Sequence, residues 1–393
     1  MVVWLLFACM APHKDTATPH AVALLTDLTE PVDECAALCV SLTGPASTAA
    51  AVIINGQTLS SDTIPDDGQL TLCIEEGALN IGDVLTVSVG DSAFTEVALD
   101  VRPFGYAWGR IRSATPLTAV RWDTDWIADP TPIFAPEPGS WYQRAITSPH
   151  LAEDRLYFSG KPTDNAPYRL GVTTRGADGT FPPSTAPLLE TTWDAAGQVS
   201  PTTVQHPDGD VLFYHGLGWK DTVPTLGRSL WDGQSWVGED DRVYGNGDAD
   251  KISHPTAWVD QDSGVIELWH LTQEGSFQLS LSADMGMSFT PSCRSLPMRG
   301  KSPEVAWVDD RYVMTWSTQN ADEDIIRWAE STDGLRWVVR EGAILRASDA
   351  DWLQDGLSNA QIVWLEHTPQ LLLSGVEDGE HRFGLASPKQ WEN

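Results

Sequence analysis

The sequence predicts an all-β chain: a small N-terminal β-sandwich, immunoglobulin-like in the broad sense, followed by a five-bladed β-propeller. Two sequence markers recur about every 50 residues across residues 104–393, the size of a four-stranded blade. No long segment carries apolar residues at a 3.6-residue period, so little helix is expected. Short alternating apolar runs separated by Asn-Gly and Asp-Gly turns fill residues 21–101.

The first marker is a proline that opens an apolar strand. It occurs in Ser148-Pro149-His150, Ser200-Pro201-Thr202, His254-Pro255-Thr256 and Ser302-Pro303-Glu304, with a degenerate fifth copy at Ser358-Asn359-Ala360. The second closes each repeat: a strand of small residues, an Asp-Gly turn and an aromatic residue. Clear copies are Gly227-Arg228-Ser229 with Asp232-Gly233 and Trp236, and Ala329-Glu330-Ser331 with Asp333-Gly334 and Trp337. Gly384 to Trp391 forms the last. The stretch from Phe104 to Trp141 precedes the first full copy. It supplies either a strand that closes the ring with the last blade or a lead-in segment, and a six-blade count stays open on that account.

The apolar run Met1 to Ala8 is too short to span a bilayer, which needs about 20 residues. It suits the core of a signal peptide. Leu6-Phe7-Ala8-Cys9 has the form of a bacterial lipobox, which makes Cys9 the lipidation site and residues 11–20 a polar tether. An exported protein is therefore expected, at an outer membrane or cell surface, or free in the periplasm or outside the cell. Its only membrane contact would be the lipid. Export permits disulfides among Cys35, Cys39, Cys73 and Cys293, with a bridge from Cys73 to Cys39 or Cys35 the pairing the strand-like segments suggest. No CxxC pair marks a zinc site.

The formal net charge of −31, from 55 acidic against 24 basic residues, is spread along the chain. Such a field repels a polyanionic backbone, so nucleic acid is a poor partner. No cofactor motif is found and no cofactor is expected; a monomer is expected. The 18 Trp suit both sheet packing and stacking on sugar rings.

The repeats resemble those of five-bladed propellers of the family-43 glycoside hydrolase type, which include arabinanases, β-xylosidases and levansucrase-like enzymes. The residues that carry the resemblance are the Ser-Pro strand openings and the endings such as Trp328-Ala329-Glu330-Ser331-Thr332-Asp333-Gly334-Leu335-Arg336-Trp337. It covers residues 104–393 and is specific for architecture rather than activity. It implies a carbohydrate ligand. Separately, Ser282-Ala283-Asp284-Met285-Gly286-Met287-Ser288-Phe289 resembles the sialidase Asp-box, a structural turn. Asp178, Asp232, Asp284 and Asp333 are read as turn residues on that basis. A sialidase would also need a cluster of three Arg, which no strand opening supplies.

Innermost propeller strands meet at an axial funnel, so residues beside each opening proline become neighbours. His150, Ser200, His254, Glu304 and Asn359 are the expected polar ring, a site for sugar hydroxyls. His150, His254 and Glu304 also form a conceivable ligand set for a metal, but a histidine at a strand opening is more often a structural hydrogen-bonding residue, and no metal is expected. Glycoside hydrolysis needs two carboxyl groups. Glu304 is the candidate general acid, with burial beside Trp307 raising its pKa. The resembling enzymes open their first blades with Asp beside Pro, where this chain has Ser148, Ser200 and His254. Asp129, in the Asp-Pro pair, and Asp355, just ahead of the fifth opening, are the candidate partner carboxylates, with Asp250 a further one. Trp141, Trp193 and Trp352 precede strand openings, where a loop Trp either stacks on sugar rings or packs under its loop, and Trp141 is the candidate sugar-stacking residue. The rival reading is a binding or scaffold propeller whose active site is degenerate.

Overall fold

The computed structural model describes residues 117–389, apart from 192, 218–224, 240–242, 244–251, 273, 321–322 and 366, together with strands and turns between residues 23 and 110. They form two compact units that divide between residues 114 and 115. Cys9, Cys35, Asp250, Trp391 and the 1–20 segment lie outside the described residues.

In the first unit, β1 (Ala23–Leu24), β3 (Leu38–Thr43) and β6 (Gln69–Ile74) form one antiparallel sheet. A second runs in the order β5 (Gln57–Thr63), β4 (Ala49–Ile54), β7 (Val84–Val89), β8 (Ser92–Ala98). A short parallel pair, β2 (Val32–Asp33) with β9 (Val101–Arg102), completes it. The alternating strands put Val40, Leu42 and Leu72 of one sheet and Val52, Ile54, Leu85 and Val87 of the other into one buried core. Cys73 is disulfide-bonded, as is Cys293 in the second unit. Cys39 is the residue opposite Cys73 in the β3–β6 ladder.

Among its described residues the second unit holds five antiparallel sheets and no α-helix. The first is β11 (Ala145–Ala152), β12 (Arg155–Lys161) and β13 (Arg169–Thr174). The second is β14 (Gly197–Val204), β15 (Val211–Leu217), β16 (Thr225–Trp231) and β17 (Trp236–Gly238). The third is β18 (Ser253–Val259), β19 (Ile266–Leu271), β20 (Ser276–Ser282) and β21 (Thr290–Arg299). The fourth is β22 (Lys301–Val308), β23 (Arg311–Asn320), β24 (Glu323–Ser331) and β25 (Val338–Val339), with β26 (Leu345–Arg346) also on β24. The fifth is β27 (Gly356–Leu365), β28 (Thr368–Glu377), β29 (Glu380–Pro388) and, outermost, β10 (Trp126–Ala128). The segment ahead of the first sheet thus gives the last sheet its outer strand. The first strands of the sheets lie side by side in the order β11, β14, β18, β22, β27 and back to β11, which makes the unit propeller-like.

Each of these first strands carries the same local break. Ser148, Ser200, His254, Ser302 and Asn359 adopt φ of 53°, 54°, 51°, 49° and 43°. The ladder to the second strand slips its register at that point in every sheet. A residue before proline is disfavoured in the right-handed helical region, and the left-handed region costs a non-glycine residue about 1–2 kcal/mol. Five repetitions of one strained conformation explain why the opening motif keeps its phase.

The tryptophans that precede the strand openings are packing elements. Trp141 lies over Gly160 and Gly171, where an added Cβ would sit 3.1 and 2.5 Å from its ring, and it stacks on Phe158. Trp193 covers Gly216, and Trp352 covers Gly375 and Gly384. The glycines leave room on neighbouring strands for one flat ring. Trp141 therefore spreads its ring on its own sheet, contrary to its expected role against sugar.

The Asp-Gly turns close on themselves. Ser282 Oγ donates to Asp284, the Gly286 and Asp284 N–H groups donate to Ser282 Oγ, and the Ser288 N–H donates to Asp284. Asp333 accepts the N–H groups of Leu335 and Arg336, and Asp178 and Asp232 accept turn N–H groups in the same way. Gly286 has φ +77° and its missing Cβ would lie 2.3 Å from Phe213. Gly286→Ala is expected to destabilise the fold by on the order of 2–4 kcal/mol, from overpacking plus backbone strain, measured by urea unfolding.

Candidate functional site

The bulge sorts the funnel residues into two successive rings. Ser148, Ser200, His254, Ser302 and Asn359 stand at the bulge itself, and His150, Thr202, Thr256, Glu304 and Gln361 stand two residues further along each strand. The five residues expected from sequence are therefore drawn from both rings: Ser200, His254 and Asn359 from one, His150 and Glu304 from the other. Ser148, Thr202, Thr256, Ser302 and Gln361 are not among them.

The second ring is mostly committed to holding the sheets together. His150 Nε2 accepts the Thr203 N–H at 3.1 Å, Thr202 Oγ1 the Ala257 N–H at 3.2 Å, and Thr256 Oγ1 the Val305 N–H at 3.3 Å. Gln361 Oε1 accepts the Leu151 N–H at 2.7 Å, closing the circle from the last sheet to the first. In each case a side chain takes a backbone N–H from the next first strand. The corresponding bond from Ile362 to Glu304 is not made among the described residues. The tie between those two sheets comes instead from Thr315, whose hydroxyl donates to the Ala360 carbonyl. Glu304 is the member of this ring that accepts no backbone N–H from the next first strand among the described residues.

Its carboxyl meets Asn359 Nδ2 at 3.5 Å and lies beside the Thr256 hydroxyl. Burial outweighs both hydrogen bonds and pushes its pKa up to about 8, so the group is a neutral acid at pH 7. No charged group contributes to that shift.

His150 is not free to hold a ligand. Gln361 Nε2 faces Nδ1 at 3.1 Å while the Thr203 N–H faces Nε2. Donors on both sides oppose an imidazolium, and burial pulls the pKa down to about 4. His254 is likewise held down to about 4 by burial, with Lys301 adding to the effect. Its Nδ1 is buried without a hydrogen-bond partner. Ser148 and Ser200 hydroxyls sit 3.4 Å apart across two strands. Among the described residues no group of three His, Cys, Asp or Glu gathers to hold a metal.

The two partner carboxylates go elsewhere. Asp129 follows β10, the outermost strand of the fifth sheet, with β29 and β28 between it and β27. Strand spacing places it about 14 Å outward from the first strand. Burial raises its pKa, and its carbonyl accepts Trp352 Nε1 at 2.8 Å. Asp355 is exposed and accepts the Asp378 N–H at 2.7 Å, capping the β28–β29 turn. Both are occupied with closing the fifth sheet. The Asp-Pro pair that singled out Asp129 is a turn feature at the end of a short edge strand.

Beside the Glu304 strand a cleft of about 250 Å³ opens between the fourth and fifth sheets, lined by Lys301, Ser317, Asp324, Leu357 and Ser358 among others.

Fold and site together define an all-β, propeller-type protein with one neutral carboxyl group at the meeting point of its sheets. Solved structures of similar fold are glycoside hydrolases. One belongs to the GH130 family of mannoside phosphorylases, which contains glycoside hydrolases that target β-1,2 mannosidic linkages in Candida mannan. It is 12% identical with a TM-score of 0.56, covering 71% of this chain and 98% of that one. A second, a glycoside hydrolase, is 14% identical with a TM-score of 0.54, covering 68% and 93%. The α-L-arabinofuranosidase of Podospora anserina, solved with cellotriose, is 14% identical with a TM-score of 0.51, covering 68% and 97%. No family model matches the chain. No curated protein matches it. At these identities the likeness is one of fold.

Proposed function

We propose that the second unit is a five-bladed propeller that binds carbohydrate in its axial funnel, where Glu304 meets a hydroxyl or glycosidic oxygen as a protonated acid. The observation that carries this is the exemption of Glu304 from the inter-sheet bonds that its four ring counterparts make. A half-buried carboxyl that takes no backbone N–H from the next strand and stays neutral at pH 7 is suited to donate a hydrogen bond or a proton. The fold shared with glycoside hydrolases supports a sugar as its partner.

Hydrolysis is the second reading, favoured by the raised pKa of Glu304, which suits a general acid. It needs a base or nucleophile, and neither Asp129 nor Asp355 is placed to be one. Binding without turnover therefore fits the geometry better. The test is a panel of neutral and acidic oligosaccharides, read for binding by calorimetry and for cleavage by product analysis. Binding that Glu304→Gln weakens at least 10-fold supports the proposal. Cleavage lost in Glu304→Gln moves the protein to the hydrolase reading. Binding indifferent to Glu304 sinks both.

The first unit, with two sheets around one core, is read as an immunoglobulin-like spacer, and Cys9 as the point where a lipid tethers the exported chain. Labelling of the expressed protein with a fatty-acid probe, abolished in Cys9→Ala, is the expected result.

A further inference from the structure

Acidic residues outnumber basic ones 55 to 24, so a basic group without an acidic partner is unusual in this chain. The other arginines described in the second unit are engaged: Arg228 with Glu239, Arg311 with Glu330, Arg340 with Asp123 and Asp125, Arg382 with Glu377, and the remainder with carboxylates, carbonyls or a ring face. Arg299 and Arg327 are the exceptions among the described side chains. Neither guanidinium makes an ion pair or a hydrogen bond, and neither does the ammonium of Lys301.

These three cations share one feature of the surface. Arg299 and Arg327 line a groove of about 430 Å³ together with Trp316, Thr318 and Gln319, and among the described residues no carboxylate lines it. Thr318 and Gln319 also line the 250 Å³ cleft that holds Lys301, so the two hollows are contiguous. Lys301 opens β22, three residues ahead of Glu304, or about 10 Å along the strand. The one carboxylate in the cleft among the described residues, Asp324, accepts the Leu357 N–H at 3.3 Å. The result is a basic track, floored partly by Thr and Gln, that leads along the fourth sheet to the funnel of a strongly acidic protein.

We infer that this track binds an anionic oligosaccharide, carboxylated or sulfated, with Arg299 and Arg327 pairing to its acid groups and Lys301 receiving it at the funnel. The inference rests on the carbohydrate reading above and names the class of sugar. An unpaired guanidinium offers a planar fork of donors that matches carboxylate and sulfate oxygens. A chain of net charge −31 repels anions at long range, so three uncompensated cations in one groove are suited to a ligand that carries repeated negative charge. Neutral Glu304 adds no repulsion below its pKa of about 8.

The experiment is calorimetric titration of the full chain with oligogalacturonate, a sulfated oligosaccharide, a neutral xylo-oligosaccharide and poly-glutamate. Each is run at 50 and 300 mM salt, with the parent and with the Arg299→Gln/Arg327→Gln pair. Both side chains stand in a surface groove, and an unchanged thermal melt verifies the fold of the variant. The expected result is binding of a uronide or sulfated sugar that weakens with salt and falls at least 10-fold in the double variant; whichever of the two binds names the acid group. A neutral xylo-oligosaccharide bound as tightly as either, and equally by the variant, overturns the inference and leaves the Glu304 reading standing. Poly-glutamate bound as tightly as the acidic sugars overturns the carbohydrate reading and this inference with it. No binding of any acidic sugar by the folded parent overturns the inference alone.

Discussion

Glu304→Gln is expected to weaken ligand engagement in the funnel at least 10-fold while leaving the fold intact or firmer. Gln keeps the shape of the side chain and can still meet Asn359 and Thr256, but it has no acidic proton to give. If the protein turns over a glycan, loss of the general acid should lower kcat by roughly 10²–10⁴-fold with little change in KM. If it only binds, the loss should be at least 10-fold in Kd. The pH profile distinguishes a donor from a spacer. A proton donor whose pKa is about 8 is loaded throughout the neutral range, so engagement should hold up to pH 7 and decline above pH 8. The variant should show no such limb. A parent whose affinity stays flat from pH 6 to 9.5 would remove Glu304 from the mechanism.

The same substitution should act on stability with a definite sign. In the unfolded chain Glu304 titrates at its ordinary 4.5, and in the fold at about 8. Between those values the folded state holds a proton that the unfolded state has released. The contribution of this group is therefore complete below pH 4.5 and is lost as pH rises through 8. Above pH 8 the parent carries the full penalty of a buried carboxylate, on the order of a few kcal/mol, and Glu304→Gln does not. The variant should melt at a higher temperature than the parent at pH 9 and at a similar one at pH 4.5. His150, His254 and His270 are each held down to about 4, so they act in the opposite sense as pH falls below 6.5. The difference between parent and variant isolates Glu304 from them.

The repeat was legible because its markers carry backbone demands. Proline at Pro149, Pro201, Pro255 and Pro303 shapes the residue before it, and the structure answers with a positive φ at each, including Asn359, where the proline is replaced by Ala360. Glu304 was legible as the one carboxylate at a strand opening. Its ring was not read correctly. Taking the nearest polar residue to each proline mixed two positions, whereas the residue two places past the strained one gives His, Thr, Thr, Glu and Gln, all able to accept a hydrogen bond. The shared duty of that column lies in N–H groups some 50 residues away, which no local pattern announces. The role of Asp129 was hidden for a related reason. That β10 pairs with β29 is a closure across most of the second unit, and it sends the only Asp-Pro pair to an outer edge. The packing role of Trp141 left a trace, because Gly160 and Gly171 stand on adjacent strands as a paired absence of side chains. The two unpaired arginines could not be singled out, since their distinction is the lack of a partner in three dimensions.

Trp352→Ala is expected to be the most damaging single truncation in the second unit. The ring is fully buried and belongs to the core that joins the fourth and fifth sheets, with Trp328, Ile344, Leu353 and Leu371. It rests on Gly375 and Gly384, whose backbone has no side chain with which to refill the space. Its Nε1 donates to the Asp129 carbonyl at 2.8 Å, at the end of β10. Truncation therefore removes a large apolar surface, leaves a cavity floored by backbone, and orphans an acceptor on the strand that the lead-in segment contributes to the last sheet. Losses of about 3–5 kcal/mol are typical for a buried aromatic truncated to alanine, and the unsatisfied carbonyl adds about 1 kcal/mol or more. Trp352→Phe should recover most of the packing and lose the hydrogen bond alone. Urea unfolding of the three proteins separates the two contributions. The decisive sign is amide exchange: if Trp352 anchors the β10–β29 pairing, protection at Ile127 and Asp129, whose N–H groups face β29, should drop in Trp352→Ala well before the first sheet loosens. Equal loosening of every sheet would mean that the ring fills space without anchoring that strand.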